Sequence, residues 1–159
     1  MNGGLVPSML LSVTLALMLA FAPTRAAVIG LVVFAAAAVL AFVVALGLSA
    51  TVIFVGLWLS IIAIAIIVYL PAARWLPAVV PLCINAGLWM GAHVGLSNDR
   101  RGLALSLLPA LISFPAKLLV ERKFDIIIKV VASWMIAIAS LSMFVSLMPT
   151  PGYKPDHME

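Results

Sequence analysis

Charged residues are scarce in this chain of 159 residues. Asp, Glu, Lys and Arg make up 9% of it, whereas hydrophobic residues make up 66% and the mean hydropathy is +1.32. Soluble domains carry roughly 25% charged and about 45–50% apolar residues. A water-soluble fold of this size cannot bury so much apolar surface, because small domains keep a large surface for their volume. The composition therefore predicts a membrane protein that crosses the lipid bilayer several times.

Acidic residues are missing from the middle of every long apolar run. Asp99, Glu121 and Asp125 all lie near the ends of such runs. Intramembrane carboxylates are the usual proton and sodium carriers of coupled pumps. Their absence argues against a pump of that kind.

Cysteine and histidine are rare as well. The one cysteine, Cys83, has no partner for an intramolecular disulfide and is predicted to be a small buried hydrophobe. His93 and His157 are too few for a metal site or for haem ligation, so neither a metal nor another cofactor is predicted.

Sequence motifs for enzymes and nucleic-acid binding are absent too. GxGxxG, P-loop, HExxH, CxxC and GxSxG patterns do not occur. The nine Lys and Arg residues lie at the ends of apolar runs, which suits lipid headgroups rather than nucleic acid. The sequence thus gives no support for an enzyme or a nucleic-acid-binding protein.

Six long apolar runs dominate what is present. Membrane spans are helices or closed barrels, and these continuous runs lack the alternation of a barrel strand. The fold class is therefore predicted as all-α, a polytopic bundle of about six transmembrane helices with short loops. The predicted helices cover residues 5–22, 26–46, 50–70, 77–96, 103–120 and 125–148.

The connections between these helices are short. Residues 1–148 are predicted to form a single transmembrane domain, followed by a short polar, proline-rich tail at 149–159. The segment ALGLSAT, 45–51, is the predicted turn between the second and third helices. Pro109 and Pro115 interrupt the fifth helix, which is predicted to be kinked or partly re-entrant. The first run is predicted to be a retained helix rather than a cleaved signal, because MNGG carries no positive charge.

The distribution of Lys and Arg predicts the orientation. With six spans both termini share one side, which carries Arg100, Arg101 and Lys154. The opposite side carries a larger set: Arg25, Arg74, Arg122 and Lys123, with Lys117 and Lys129 close to it. By the positive-inside rule the termini are predicted on the non-cytoplasmic side of a cell membrane, the inner membrane if the host is a bacterium.

The fourth helix carries a repeated glycine pattern. Gly87, Gly91 and Gly95 recur every fourth residue, a double GxxxG that lets another helix backbone approach closely. The pattern leaves open whether that helix belongs to the same chain. Asn85, Trp89 and His93 have the same spacing and lie on the roughly opposite face. A helix with two such faces is predicted to be central in its bundle.

The polar residues of helices 4 to 6 allow two interpretations. Ordinary interhelical hydrogen bonds are one, with Lys117 extending towards the membrane surface. A polar path through the bundle is the other. The candidate set for both is Asn85, His93, Ser113, Lys117, Ser133 and Ser140.

Further positions are assigned to the membrane surface or to packing. Arg100 and Arg101 are predicted to contact lipid headgroups. Asp125 and Lys129 are four residues apart and can pair on one helix face. Trp75 is predicted to anchor the interface, whereas Trp58, Trp89 and Trp134 are predicted to fill space between helices.

Three functions follow as hypotheses. The first is an integral membrane interaction protein, an accessory or assembly subunit whose partners are the lipid bilayer and other membrane subunits or further copies of itself. The second is a small-solute or ion transporter or channel that uses the polar path. The third is an intramembrane enzyme acting on a lipid through His93, Arg100 and Arg101, which lacks an identifiable nucleophile and base.

Overall fold

The computed structural model describes residues 5–44, 47–71, 75–97 and 100–147. Within these ranges the chain is helical and contains no strand, which confirms the all-α prediction. The elements are α1 (Val6–Ala20), α2 (Thr24–Val44), α3 (Ala50–Ile67), α4 (Leu76–Gly95), α5 (Arg100–Leu107), a 3-10 segment (Leu108–Ile112), α6 (Ser113–Glu121) and α7 (Asp125–Leu147). The predicted tail at 149–159, and Arg74 and Lys154 of the orientation argument, lie outside the described residues.

Among the residues that the structure describes, five helical segments are long and apolar enough to cross a membrane, so the chain is a multi-pass membrane protein. They are Thr24–Val44, Ala50–Ile67, Leu76–Gly95, Arg100–Glu121 and Asp125–Val145.

The first helix is shorter than its predicted span of 5–22. Helix α1 has 15 residues, about 22 Å of helix, whereas the hydrocarbon core is ~30 Å thick. The chain leaves the helix early because Phe21 and Ala22 donate their N–H groups to carbonyls only three residues back. Pro23 then follows, and it has no N–H with which to continue the helix.

Helix α1 is enclosed by the other helices. Leu11, Leu15, Met18 and Leu19 are fully buried, and α1 contacts α3, α4, α5, the 3-10 segment and α6. A helix that is buried on nearly every side belongs to the core of its bundle. The sequence predicted a central position for α4 only, and the structure adds α1 to the centre.

Residues 47–49, within the predicted turn at 45–51, are non-helical and directly precede α3. Gly47 has a φ of 59°, a left-handed conformation that glycine adopts without a Cβ clash. Ser49 then caps α3, its hydroxyl accepting the N–H of Val52 at 3.4 Å. Residues 50 and 51 of the predicted turn belong to α3 instead.

The predicted interruption of the fifth span is confirmed at one of its two prolines. The chain between α5 and α6 narrows to a 3-10 helix that contains Pro109, a residue that cannot donate to the carbonyl four residues back. Pro115 does not break α6, because it is the third residue of that helix, where no intrahelical N–H bond is needed.

The glycine face of α4 packs against α2 of the same chain. A Cβ at Gly87 would lie 2.5 Å from the Phe34 carbonyl oxygen, and a Cβ at Gly91 would overlap the Ala38 carbonyl. The contact is therefore backbone against backbone. Gly95 is looser, since a Cβ there would meet Phe42 at an ordinary 3.8 Å.

We expect Gly91→Ala to lower the free energy of unfolding by about 1–3 kcal/mol, the usual cost of overpacking a tight contact. The added methyl group would collide with the Ala38 carbonyl, which is part of α2 and cannot rotate away. Denaturation in mixed detergent micelles, followed by circular dichroism, measures the change.

Gly95→Ala is the matched control, because its Cβ has room beside Phe42. Alanine favours helix by ~1 kcal/mol over glycine, so this variant should be as stable as the wild type or more stable. Equal destabilisation by both variants would contradict the backbone contact.

Candidate functional site

The side of α4 turned away from α2 forms a hydrogen-bonded chain with α3. Asn85 donates from Nδ2 to the Ser60 hydroxyl oxygen at 2.7 Å and accepts the Trp89 indole N–H at 3.1 Å. Ser60 in turn donates to the Gly56 carbonyl oxygen at 2.8 Å. Both functional ends of the Asn85 amide are thus paired, as buried amide groups in an apolar medium require.

The Trp89 ring completes this contact by lying on Gly56. A Cβ at Gly56 would come within 2.6 Å of three atoms of the Trp89 ring, so only glycine leaves space for the indole. The sequence analysis did not identify Gly56 or Ser60. Their signal is nevertheless visible, since Ser60 is a hydroxyl residue in an otherwise apolar stretch of α3, one turn after its single glycine.

A second hydrogen-bonded group joins the other end of α4 to α1. His93 Nδ1 lies 2.9 Å from the Ser8 hydroxyl oxygen, with donor and acceptor set by the imidazole tautomer. One turn along α1, Ser12 donates to the Ser106 carbonyl oxygen of α5 at 2.5 Å. The sequence analysis missed both α1 serines, although hydroxyl residues four apart in an apolar helix indicate a hydrogen-bonding face.

Ser8 and His93 have the residue types of a nucleophile and a base, the pair that the enzyme hypothesis lacked. Ser8 is fully buried, however, so its hydroxyl is closed to a substrate. The contact between Ser8 and His93 joins α1 to α4.

Arg100 and Arg101 lie exposed in the first turn of α5, and their contact with headgroups remains a prediction. Among the described residues no group of three His, Cys, Asp or Glu side chains could hold a metal ion.

Lys117 neither lines a path nor pairs with an acidic residue. Its ammonium group donates to the Thr24 hydroxyl at 2.6 Å and to the Ala22 carbonyl oxygen at 3.3 Å. Ala22 follows the last turn of α1, where helix carbonyls carry partial negative charge and a cation is favourable. Lys117 therefore holds α6 against the connection between α1 and α2.

The three remaining candidates of the predicted path have different surroundings. Ser113 is buried, and its hydroxyl has no hydrogen-bond partner. Ser133 is exposed and donates to the carbonyl of Val130 in its own helix, and Ser140 is also exposed.

The polar path through helices 4 to 6 stays a prediction. Its six candidate residues do not line the cavities at the ends of α1, α3 and α7, between α2 and the 3-10 segment, or along α2. Asn85, His93 and Lys117 are each paired with a neighbouring helix.

The tryptophans follow the predictions with one exception. Trp75 is 70% exposed at a helix start, Trp58 is buried and Trp89 is half-buried between α3 and α4. Trp134 was predicted to fill space between helices, yet it is 67% exposed on α7. Hydropathy does not reveal which face of a terminal helix is covered, so the sequence could not place this ring.

We expect the Asn85 and Ser60 side chains to contribute jointly to stability. Asn85→Ala should lower the free energy of unfolding by roughly 0.6–1.7 kcal/mol, the range for hydrogen bonds between membrane helices. In a double-mutant cycle with Ser60→Ala the two effects should be less than additive, because either change breaks the same bond. Ser133→Ala, an exposed hydroxyl bonded within its own helix, is the control and should be neutral. Strict additivity would show that the bond contributes nothing.

The Lys117 contact gives a separate expectation. Lys117→Met should lower the free energy of unfolding by about 1–2 kcal/mol, because it removes a charged donor from a helix end. Lys123→Met, which removes an exposed charge in the turn after α6, should have little effect in the same denaturation assay. If Lys123→Met lowers the free energy of unfolding as much as Lys117→Met does, the loss of stability comes from the change in net charge and not from the Lys117 contact.

Comparison with known proteins supplies no relative from which a function could be transferred. No protein-family model, curated protein or solved structure matches the chain. The contacts of this chain are therefore the basis on which its function is proposed.

Proposed function

We propose that this multi-pass membrane protein acts by helix–helix association, as an accessory or assembly subunit of a larger membrane complex. The observation that carries the proposal is the uneven coverage of its spans. In α7 only 17% of the apolar window is buried by the rest of the chain, compared with 44% in α4. Helix α7 therefore has the largest uncovered surface among the five spans.

The uncovered side of α7 has the composition of a helix-packing face. Its inner side is buried through Ile128, Ala132 and Ala139, and the helix contacts α3. Ser133, Ala137 and Ser140 lie on the roughly opposite, exposed side. Small residues at this spacing let a second backbone approach, and hydroxyl groups can bond across the contact. We call this surface, 133, 137 and 140, the outer face of α7.

The half-buried polar groups support association over transport or catalysis. Asn85, His93 and Lys117 are each paired with another helix of the bundle. A transport path needs polar groups around one continuous space, and catalysis needs a reactive group open to substrate. The partner that we expect at the outer face of α7 is a transmembrane helix of another protein. Helices in lipid associate through close packing and hydrogen bonds, and the small residues and hydroxyl groups of this face can provide both.

A photocrosslinking experiment in the native membrane tests the proposal. Phe144 lies one turn after Ser140, in line with the outer face of α7, and is 58% exposed. With p-benzoylphenylalanine at position 144, irradiation should give a discrete crosslink to another membrane protein. The same probe at Phe114, an exposed aromatic residue of α6, is the matched control and should give none. Ala137→Leu should abolish the crosslink from position 144, because the larger side chain blocks close approach.

The stability of the purified chain should be unaffected by Ala137→Leu, since Ala137 is exposed. Crosslinks to a second copy of the same chain would indicate that the protein forms a homo-oligomer and is not an assembly subunit of another complex. Crosslinks to lipid alone at both positions would overturn the proposal.

A further inference from the structure

A cavity with polar groups lies where α1, α3 and α7 come together at one end of the bundle. Its volume is about 250 Å³. The lining residues are Phe21, Val68, Tyr69, Leu70, Pro71, Asp125 and Lys129. It is separate from the outer face of α7 and from the hydrogen bonds of α4.

The described lining residues of the cavity carry one charge of each sign. Lys129 Nζ and the Asp125 carboxylate are 2.8 Å apart in the first turns of α7, and their side chains are 40% and 36% exposed. An exposed pair of this kind contributes little to stability, so a ligand can exchange for either partner at small cost. The paired charges confirm the predicted contact between positions 125 and 129.

Tyr69 forms one wall of the cavity, and a hydrogen bond holds its side chain in place. Its hydroxyl donates to the Lys129 carbonyl oxygen at 2.6 Å, which ties the end of α3 to the first turns of α7. The phenol oxygen retains capacity to accept a further hydrogen bond. The site is thus built from two helices held together, with both charges on the same side as the phenol.

The position of the cavity is that of lipid headgroups. It lies at the ends of the spans, on the side of the bundle where Arg25, Arg122 and Lys123 are exposed. Tyr69 is half-exposed there and Trp75 is largely exposed, and aromatic residues of this type mark the membrane interface. The apolar walls of the cavity are Phe21, Val68 and Leu70.

We propose that this cavity binds a zwitterionic group that combines a phosphate with a primary ammonium, as in a phosphatidylethanolamine headgroup. The phosphate pairs with Lys129 and the ammonium with Asp125. An anionic headgroup would place its excess charge beside Asp125, and a cation would face Lys129, so opposite charges favour a ligand that carries both. Ligand sites for whole small molecules usually occupy about 300–1,000 Å³, so this cavity admits a headgroup and leaves acyl chains outside.

Native mass spectrometry of the full-length protein in mild detergent tests the assignment. Phosphatidylethanolamine, phosphatidylcholine and phosphatidylglycerol with identical acyl chains are titrated separately. We expect phosphatidylethanolamine to bind about tenfold more tightly than phosphatidylcholine, which lacks N–H donors for Asp125; tenfold corresponds to one charge-assisted hydrogen bond. Equal binding of the three lipids, or a preference for phosphatidylglycerol, would overturn the proposal, and this comparison needs no variant.

A pair of double variants locates the binding. D125N/K129Q removes both charges of the cavity and should reduce phosphatidylethanolamine binding to the phosphatidylcholine level. E121Q/K123Q removes one acidic and one basic residue just outside it and should leave the preference intact. If both variants lose the preference for phosphatidylethanolamine, the preference arises from general surface charge. That result would overturn the proposal that the cavity binds the headgroup.

Soluble phosphoethanolamine separates the two sources of this chemistry. If it displaces the lipid at millimolar concentration, the cavity recognises the free zwitterion and the acyl chains add nothing. If the lipid stays bound, the ligand is a membrane lipid whose acyl chains, outside the cavity, strengthen the binding. Either result keeps the zwitterion assignment, whereas the lipid series and the double variants decide whether it holds.

Discussion

The backbone contact between α2 and α4 determines how the other helices can be arranged. At Gly87 and Gly91 the two helices approach so closely that a methyl group has no space beside the Phe34 and Ala38 carbonyls. Lipid provides no hydrophobic force between helices, so close packing of this kind has to hold them. Once that face of α4 is occupied by α2, the face with Asn85, Trp89 and His93 turns towards α3 and α1.

The polar side chains on that second face are distributed by depth. Asn85 and Trp89 bind α3, and His93 binds α1 nearer the other end of α4. Each group would be costly if it were left unpaired in hydrocarbon. Their pairing therefore selects which helices neighbour α4.

The end of the bundle with the charged residues is held by a different set of contacts. Lys117 binds the connection between α1 and α2, and Tyr69 binds the first turns of α7. These bonds lie at the level where lipid headgroups and water meet the protein, so charged groups can be used there at low cost. The interior of the bundle relies on small residues and neutral hydrogen bonds, whereas this surface uses cations and a phenol. The outer face of α7 belongs to neither set and is exposed among the described residues.

Much of the fold was predictable because it follows from local chemistry. The six apolar runs predict the helices, Pro109 predicts the break in the fifth span, and the glycine spacing predicts a close helix contact. The sequence could not reveal that α2 is the partner of the glycine face, because any helix with small residues satisfies that pattern. For the same reason it could not show that Ser8 meets His93 across 85 positions, or that the exposed Trp134 lies outside the packed bundle.

Composition and periodicity by themselves determined that this chain is a bundle of membrane helices. They also identified the polar side chains within the helices that need a hydrogen-bond partner. Only the tertiary structure decided the partners. It placed α1 at the centre, paired Asn85, His93 and Lys117 with neighbouring helices, and brought Tyr69, Asp125 and Lys129 to one cavity. The physical reason is that hydropathy and spacing are properties of one helix at a time, whereas pairing and burial depend on which helices become neighbours.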